Sequence, residues 1–202
     1  MQTIIETHAH IYSDKFKEDL NDTIDRAKEI DVEKILMPNI DIESIDIMLE
    51  VAQKFPDYCI PMMGIHPCSI KADFEKDLYQ VEHWLNKEKF VAVGEMGIDL
   101  YWDKNFEEQQ KEAFRIQVGF AKEKKLPIVI HSREANHVVI DLLEELQDGS
   151  LNGVLYCFSG TLEEANKIVA LGMHLGIGGV STFKNGGLDK VLPHIDLSKL
   201  VL

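Results

Sequence analysis

Histidine and carboxylate side chains recur at the ends of short apolar segments, and these positions carry the chemistry that the sequence offers. His8 and His10 are separated by one residue, so both imidazoles leave the same side of an extended chain. Each of His66, Glu95 and His131 follows or ends an apolar run of its own. A mixed set of imidazole and carboxylate ligands suits Zn²⁺, Mn²⁺ or iron better than it suits Mg²⁺, which prefers oxygen ligands alone. The predicted ligands of such a metal site are His8, His10, Glu95 and His131.

The elements that position these residues follow a regular repeat of roughly 30 residues, which is typical of βα units. The apolar runs begin near the following residues: Ile4, Lys34, Ile60, Val91, Ile128, Gly153, His174 and Leu200. Continuous runs such as Ile128-Val129-Ile130 are typical of parallel strands that are buried on both faces. Seven units and an eighth strand start favour a TIM-like (β/α)8 barrel over an open doubly wound sheet. No phosphate-binding glycine loop follows the first strand.

Helical periodicity separates the strands, with one apolar face in each of residues 42–55, 74–84 and 138–146. Thr161-Leu162-Glu163-Glu164 has the spacing of a capping box. In a barrel the carboxyl ends of all strands share one rim, where active sites form, so the predicted ligands should meet there. The remaining histidines outside the strands are expected to be solvated: His83, His137 and His194.

Residues 1–202 contain no Pro/Ser-rich linker, so we treat them as a single barrel domain. A complete barrel of this type usually needs about 250 residues. The sequence stops at Val201-Leu202, inside the expected eighth strand. We therefore expect a barrel truncated within strand eight, without the end of that strand and the final helix, and an open edge there.

Composition limits the partners. Lys and Arg total 21 against 35 Asp and Glu, a net charge of −14, which disfavours a broad phosphate-tracking surface. A small cleft in which bound cations supply positive charge remains compatible with it. Three cysteines without a CxxC motif, no signal peptide and no long apolar run indicate a cytoplasmic protein without a membrane partner. We expect it to be a monomer.

The sequence resembles the TatD family of metal-dependent hydrolases, within the amidohydrolase superfamily. The motifs that carry the resemblance are Glu6-Thr7-His8-Ala9-His10-Ile11, Gly64-Ile65-His66-Pro67, Val93-Gly94-Glu95-Met96-Gly97-Ile98-Asp99, His131-Ser132-Arg133-Glu134-Ala135 and Cys157-Phe158-Ser159-Gly160. The resemblance extends over the whole chain. It implies a TIM-like barrel, two divalent cations (Mg²⁺, Mn²⁺ or Zn²⁺) and deoxyribonuclease activity, either 3′→5′ on single-stranded DNA ends or endonucleolytic.

The resemblance also implies roles for individual residues. His8 and His10 would bind the first cation, His131 the second, and Glu95 would bridge both as the catalytic carboxylate. His66 and Arg133 would hold the substrate phosphate, a task that suits the planar fork of arginine. A metal-activated water would then attack the phosphodiester. Two structural alternatives remain open: an ion pair of Arg133 with Glu134 or a neighbouring acid, and a turn-capping role for His66.

The sequence departs from the family pattern at three places. Tyr156 stands where the family has a ligand histidine, so the second cation should bind more weakly, or Tyr156 should only hydrogen-bond the phosphate. Glu6 replaces the usual aspartate of the opening motif. The acidic residue that follows strand eight in the family has no counterpart before Leu202.

Three aromatic residues follow predicted strand ends and could stack a nucleobase: Phe158, Tyr101 and Trp102.

Hydrolysis of a small-molecule amide, lactone or phosphotriester is the main alternative activity, because superfamily relatives share the metal barrel. Those relatives often carry a modified lysine where this chain has Glu95, which favours phosphodiesters. A non-catalytic metal-binding relic is the third possibility.

Overall fold

The computed structural model describes residues 3–102 and 104–202, in which parallel strands alternate with helices. The strands are β1 (Ile4–Glu6), β2 (Val32–Pro38), β3 (Cys59–Met62), β4 (Val93–Asp99), β5 (Ile128–Arg133), β6 (Gly153–Leu155), β7 (Met173–Gly176) and β8 (Leu200–Val201). The helices are α1 (Leu20–Glu29), α2 (Ser44–Lys54), α3 (Glu75–Lys87), α4 (Glu107–Lys124), α5 (Asn136–Leu146), α6 (Leu162–Ala170) and α7 (Leu188–Val191). Each strand begins within two residues of its predicted start.

The strands form two parallel sheets, with the orders β1-β2-β3 and β4-β5-β6-β7-β8. Met63 forms a bridge to Val93 at one seam between them. At the other seam the backbone N–H of Thr7 donates to the carbonyl of Leu202, with an N···O distance of 3.1 Å. The predicted TIM-like barrel is therefore confirmed, and the eighth-strand edge that we expected to be open is hydrogen-bonded to the residue that follows β1.

The predicted helices are present, and their apolar faces pack against the strands. The predicted capping box at the start of α6 is confirmed: the backbone N–H of Glu164 donates to Thr161 Oγ1, and the backbone N–H of Thr161 donates to Glu164 Oε2. As expected, His83, His137 and His194 are exposed. None of the helices in the described ranges has both the length and the apolar composition needed to cross a bilayer.

Helix α4 fixes the rim through two buried glutamines, which form paired hydrogen bonds with the backbone. Gln117 accepts from the N–H of Ile65 at 2.8 Å and donates to its carbonyl at 3.3 Å, next to His66. Gln110 does the same for Asp99, at 2.8 and 3.2 Å. Because both buried backbone groups are satisfied by one rigid helix, the ends of β3 and β4 keep a fixed position.

Candidate metal centre

The carboxylate of Glu95 lies at the centre of the rim, almost fully buried at 2% exposure. Its Oε2 atom is 2.9 Å from His8 Nε2 and 3.4 Å from His10 Nε2. Its Oε1 atom is 3.2 Å from His131 Nδ1 and 3.7 Å from His66 Nε2. The structure thus brings the five side chains that the sequence singled out to one point.

Ligand atoms of these residues form two groups, each spanning no more than 4.8 Å. One group contains His8, His10 and Glu95, and the other contains His66, Glu95 and His131. Because Glu95 belongs to both, one carboxylate could bridge two cations. Which histidines can bind a cation depends on the hydrogen bonds that fix the proton on each ring.

The ring of His10 is oriented by a backbone carbonyl. His10 Nδ1 lies 2.9 Å from the hydroxyl of Tyr12 and 3.1 Å from the carbonyl oxygen of Pro38. Because the Tyr12 hydroxyl donates its proton to that carbonyl, both neighbours of Nδ1 can only accept, so Nδ1 carries a proton. The remaining nitrogen, Nε2, faces Glu95 Oε2. At that position the ring either holds a second proton or offers its lone pair to a cation that replaces the proton. His10 therefore fits a metal ligand.

His131 has the same arrangement, with a carboxylate in place of the carbonyl. Its Nε2 lies 2.9 Å from Asp99 Oδ2, so the proton stays on Nε2 and Nδ1 faces Glu95. Burial lowers the pKa of His131, but the contacts with Glu95 and Asp99 outweigh it and raise the pKa above its usual value. A carboxylate behind the imidazole is the usual partner of a metal-binding histidine.

His66 differs from these two rings. The backbone N–H of Cys68 donates to His66 Nδ1 at 3.1 Å, so this nitrogen carries the lone pair. Burial, the largest influence, lowers the pKa of His66 to about 4, and the ring is neutral near pH 7. The single proton must then be on Nε2, 3.2 Å from His131 Nδ1. His66 therefore presents an N–H donor, which suits a phosphate oxygen better than a cation.

His8 is buried and stacked face to face on Tyr156, with ring centres 3.5 Å apart and planes 9° from parallel. Within the described residues its Nδ1 atom has no hydrogen-bond partner, an arrangement that typically costs about 1–3 kcal/mol. Burial raises the pKa of Tyr156, so its phenol is neutral and a poor ligand. Tyr156 thus packs on a predicted ligand, and Glu6 Oε1 accepts from the backbone N–H of His8 at 3.0 Å.

The charge of Glu95 is stabilised despite its burial. Burial raises the pKa of the carboxyl, but the contacts with the imidazoles of His10, His131 and His8 outweigh it and hold the pKa well below its usual range. Its backbone N–H donates to the carbonyl of Asn39 at 3.1 Å, which fixes the main chain at the centre. An ionised carboxylate this deep needs positive partners, which imidazolium protons or cations can supply.

Sequence reasoning missed the residues that hold this centre in place. Asp99, Asn39 and Gln117 are polar side chains with no more than 1% exposure. Asp99 bonds to the ring of His131, Asn39 donates to the carbonyl of Gly64, and Gln117 bonds to the backbone of Ile65, which precedes His66. For Asp99 and Asn39 the available signal was a polar residue inside or directly after a run of buried strand residues, whereas Gln117 lies on helix α4. Asp99 ends the motif that contains Glu95, but nothing local in the sequence links it to His131.

Arg133 lies at the same rim, on an aromatic surface. Its guanidinium carbon is 3.8 Å from the ring centre of Tyr101 and 5.1 Å from that of Trp102. No carboxylate in the described ranges forms an ion pair with Arg133, so the alternative pairing with Glu134 is not seen there. The prediction that Phe158 stacks a base is wrong: this side chain is 1% exposed and packs in the core.

A family model described as TatD related DNase matches residues 5–202. The chain belongs to the TatD family. The resemblance drawn from the motifs is therefore confirmed, and membership makes the chain one of a family of metal-dependent hydrolases.

Individual relatives agree with this placement. An uncharacterized metal-dependent hydrolase, YabD of Bacillus subtilis, is 36% identical over 200 residues, which are 98% of this chain and 78% of that protein. The 3′-5′ ssDNA/RNA exonuclease TatD of Pectobacterium carotovorum is 29% identical over 195 residues, 96% of this chain and 75% of that protein. The crystal structure of YjjV, a TatD homologue from Escherichia coli, matches with a TM-score of 0.91 and 29% identity, covering 98% of this chain and 77% of that one.

Proposed function

We propose that this TatD-family protein hydrolyses phosphodiester bonds as a 3′→5′ exonuclease on single-stranded DNA ends. One observation carries the proposal: the inward nitrogens of His10 and His131 converge on the two oxygens of one buried carboxylate, Glu95. The exonuclease name of a relative at 29% identity supports the choice of substrate.

Two divalent cations would be held here. The first would be bound by His8, His10 and Glu95, and the second by Glu95 and His131. These residues fit divalent cations because hydrogen-bond acceptors hold the ring proton on the nitrogen that faces away from Glu95. The acceptor is the carbonyl of Pro38 for His10 and the carboxylate of Asp99 for His131. When bound, such cations supply Lewis acidity that lowers the pKa of water and offsets phosphate charge.

The protein's own groups would orient the phosphate. The neutral His66 ring donates through Nε2, and the guanidinium of Arg133 can donate to two phosphate oxygens at once. These donors stabilise charge that develops on the non-bridging oxygens in the transition state. A cationic Arg133 at the rim favours an anionic phosphodiester over a neutral lactone or amide.

We also propose that residues 1–202 act as one domain, and as a monomer in the cytoplasm. The three cysteines are free thiols, which supports a reducing compartment. The net charge of −14 suits a short strand end that enters the rim better than a duplex that lies across the surface.

Glu95→Gln tests the proposal because it keeps the shape of the side chain and removes the charge. We expect cleavage of a single-stranded oligonucleotide to fall by at least about 100-fold, with loss of bound Mn²⁺. Glu163→Gln, which removes an exposed carboxylate paired with Lys167, is the matched control and should leave both unchanged. Equal cleavage by Glu95→Gln and wild type would refute the assignment. Hydrolysis of a phosphotriester or lactone in place of DNA would redirect it to the small-molecule class.

A further inference from the structure

An exposed aromatic pair lies beside the metal centre. Tyr101 and Trp102 come after β4, separated from it by Leu100, and are 48% and 67% exposed, although both carry large aromatic rings. Their ring centres are 4.9 Å apart, with planes at 86°. Arg133, at the end of β5, covers one face of the Tyr101 ring. Contiguous exposed apolar surface is one of the features by which ligand-binding sites are recognised.

A buried carboxylate ties this pair to the catalytic rim. Asp99 Oδ1 accepts from the backbone N–H of Tyr101 at 2.9 Å and from that of Trp102 at 3.0 Å. Its other oxygen, Oδ2, bonds to His131. Because Gln110 in turn fixes the backbone of Asp99, the backbone that carries the two aromatic side chains is held in place. Binding of a ligand there therefore costs little conformational entropy for ordering this backbone.

We propose that Tyr101, Trp102 and Arg133 form a subsite that stacks one unpaired nucleobase of the strand whose phosphate lies at the metal centre. This inference rests on the proposed nuclease function and names how the enzyme selects its substrate. Aromatic rings stack any base through its π-face, and a guanidinium adds cation–π attraction and a contact to the backbone.

The subsite explains a preference for single-stranded ends. In a duplex both faces of each internal base are already stacked, so none is available to Trp102. An unpaired terminal base offers a free face close to its own phosphate. The charge of Arg133 also favours a nucleic acid over an apolar protein partner. An apolar protein surface would remove water from the guanidinium without supplying an anion, whereas a phosphate supplies one.

Trp102→Ala tests the subsite, with octathymidylate and the same oligomer carrying abasic residues at its 3′ end as substrates. On octathymidylate we expect kcat/KM to fall about 5- to 100-fold, the range typical for loss of one stacked base. On the abasic oligomer the variant and the wild type should be nearly equal, because the stacking partner is missing from the substrate as well. The control is Tyr79→Ala, an aromatic residue on α3 that is 68% exposed, which should behave as wild type on both.

A binding measurement separates failure of the subsite from failure of the nuclease function. The chain has two tryptophans, so a Trp84→Phe variant reports the fluorescence of Trp102 alone. Octathymidylate should quench this emission, and the abasic oligomer should not. Quenching without cleavage by the wild type would retain the subsite and reject the nuclease. Cleavage with neither quenching nor an effect of Trp102→Ala would overturn the subsite, and absence of both cleavage and quenching would overturn both.

Discussion

Asp99 accepts a hydrogen bond from His131 at 2.9 Å, and this contact decides which nitrogen of the imidazole faces Glu95. With the proton held on Nε2, Nδ1 is left 3.2 Å from Glu95 Oε1. Asp99 is itself 1% exposed, and its second oxygen holds the backbone of the rim segment that carries Trp102. One buried carboxylate therefore orients a proposed metal ligand and the surface beside it.

Asp99→Asn should weaken cation binding while leaving the proposed ligands in place. An amide carries no charge and can turn its NH₂ group towards His131, so the proton on Nε2 is no longer fixed. We expect the affinity for Mn²⁺, measured by calorimetry, to fall about 10- to 100-fold. Asp73→Asn, which breaks an exposed ion pair with Lys76, is the control and should bind like wild type. An unchanged dissociation constant in Asp99→Asn would remove this residue from the metal centre.

His66→Gln separates a phosphate donor from a metal ligand. If Nε2 of His66 donates to the phosphate, the variant should keep its cation stoichiometry and lose about 10- to 100-fold in kcat/KM on single-stranded DNA. The cation stoichiometry should stay the same because the backbone N–H of Cys68 occupies the ring's lone pair at Nδ1, so the proton is on Nε2 and neither nitrogen is free to bind a cation. Stoichiometry comes from metal analysis after dialysis, with His83→Gln, an exposed histidine of α3, as the control. Loss of one cation per chain would assign His66 to the ligands instead.

The strands, the barrel and the convergence of the histidines could be predicted because they depend on local pattern. Continuous apolar runs locate buried parallel strands, and a side chain at a carboxyl end must reach the shared rim. His8, Glu95 and His131 meet for this reason alone, despite their separation in sequence.

The hydrogen bonds that fix the ligands could not be predicted, because they join residues that are distant in sequence. Asp99 acts on His131, 32 positions away. The exposure of the aromatic side chains could not be predicted either. Phe158 and Trp102 both follow strand ends, but Phe158 packs into the core and Trp102 remains 67% exposed. Packing between neighbouring βα loops decides between these outcomes, and no single segment encodes it.

Gly97→Ala should disrupt the β4–β5 pairing that sets the centre. Gly97 has a φ of 152°, and a Cβ atom there would lie 1.9 Å from the carbonyl oxygen of His131. Relief of this clash requires the two backbones to move apart, which costs more free energy than the movement of a flexible side chain. We therefore expect the free energy of unfolding to fall by about 3 kcal/mol or more. Urea denaturation followed by circular dichroism measures it.

The control for that substitution lies on α4. Gly119 is exposed in the middle of the helix, and a Cβ atom added there would meet no heavy atom within 4 Å. Gly119→Ala should raise stability by about 0.5–1 kcal/mol, because alanine loses less backbone entropy in a helix. Equal unfolding midpoints for Gly97→Ala and wild type would mean that β4 and β5 can separate without cost.

Tyr156→His should strengthen the second cation site, which in the proposed assignment has only Glu95 and His131 as protein ligands. An imidazole at position 156 can keep the flat stack on His8 and adds a nitrogen lone pair, whereas the neutral phenol adds none. We expect the second equivalent of Mn²⁺ in a calorimetric titration to bind at least about 10-fold more tightly than in wild type. Tyr156→Phe keeps the stacked ring without any ligand atom and should titrate as wild type does. If Tyr156→His also titrates as wild type, the side chain at this position does not reach the cation, and the stack on His8 is its whole contribution.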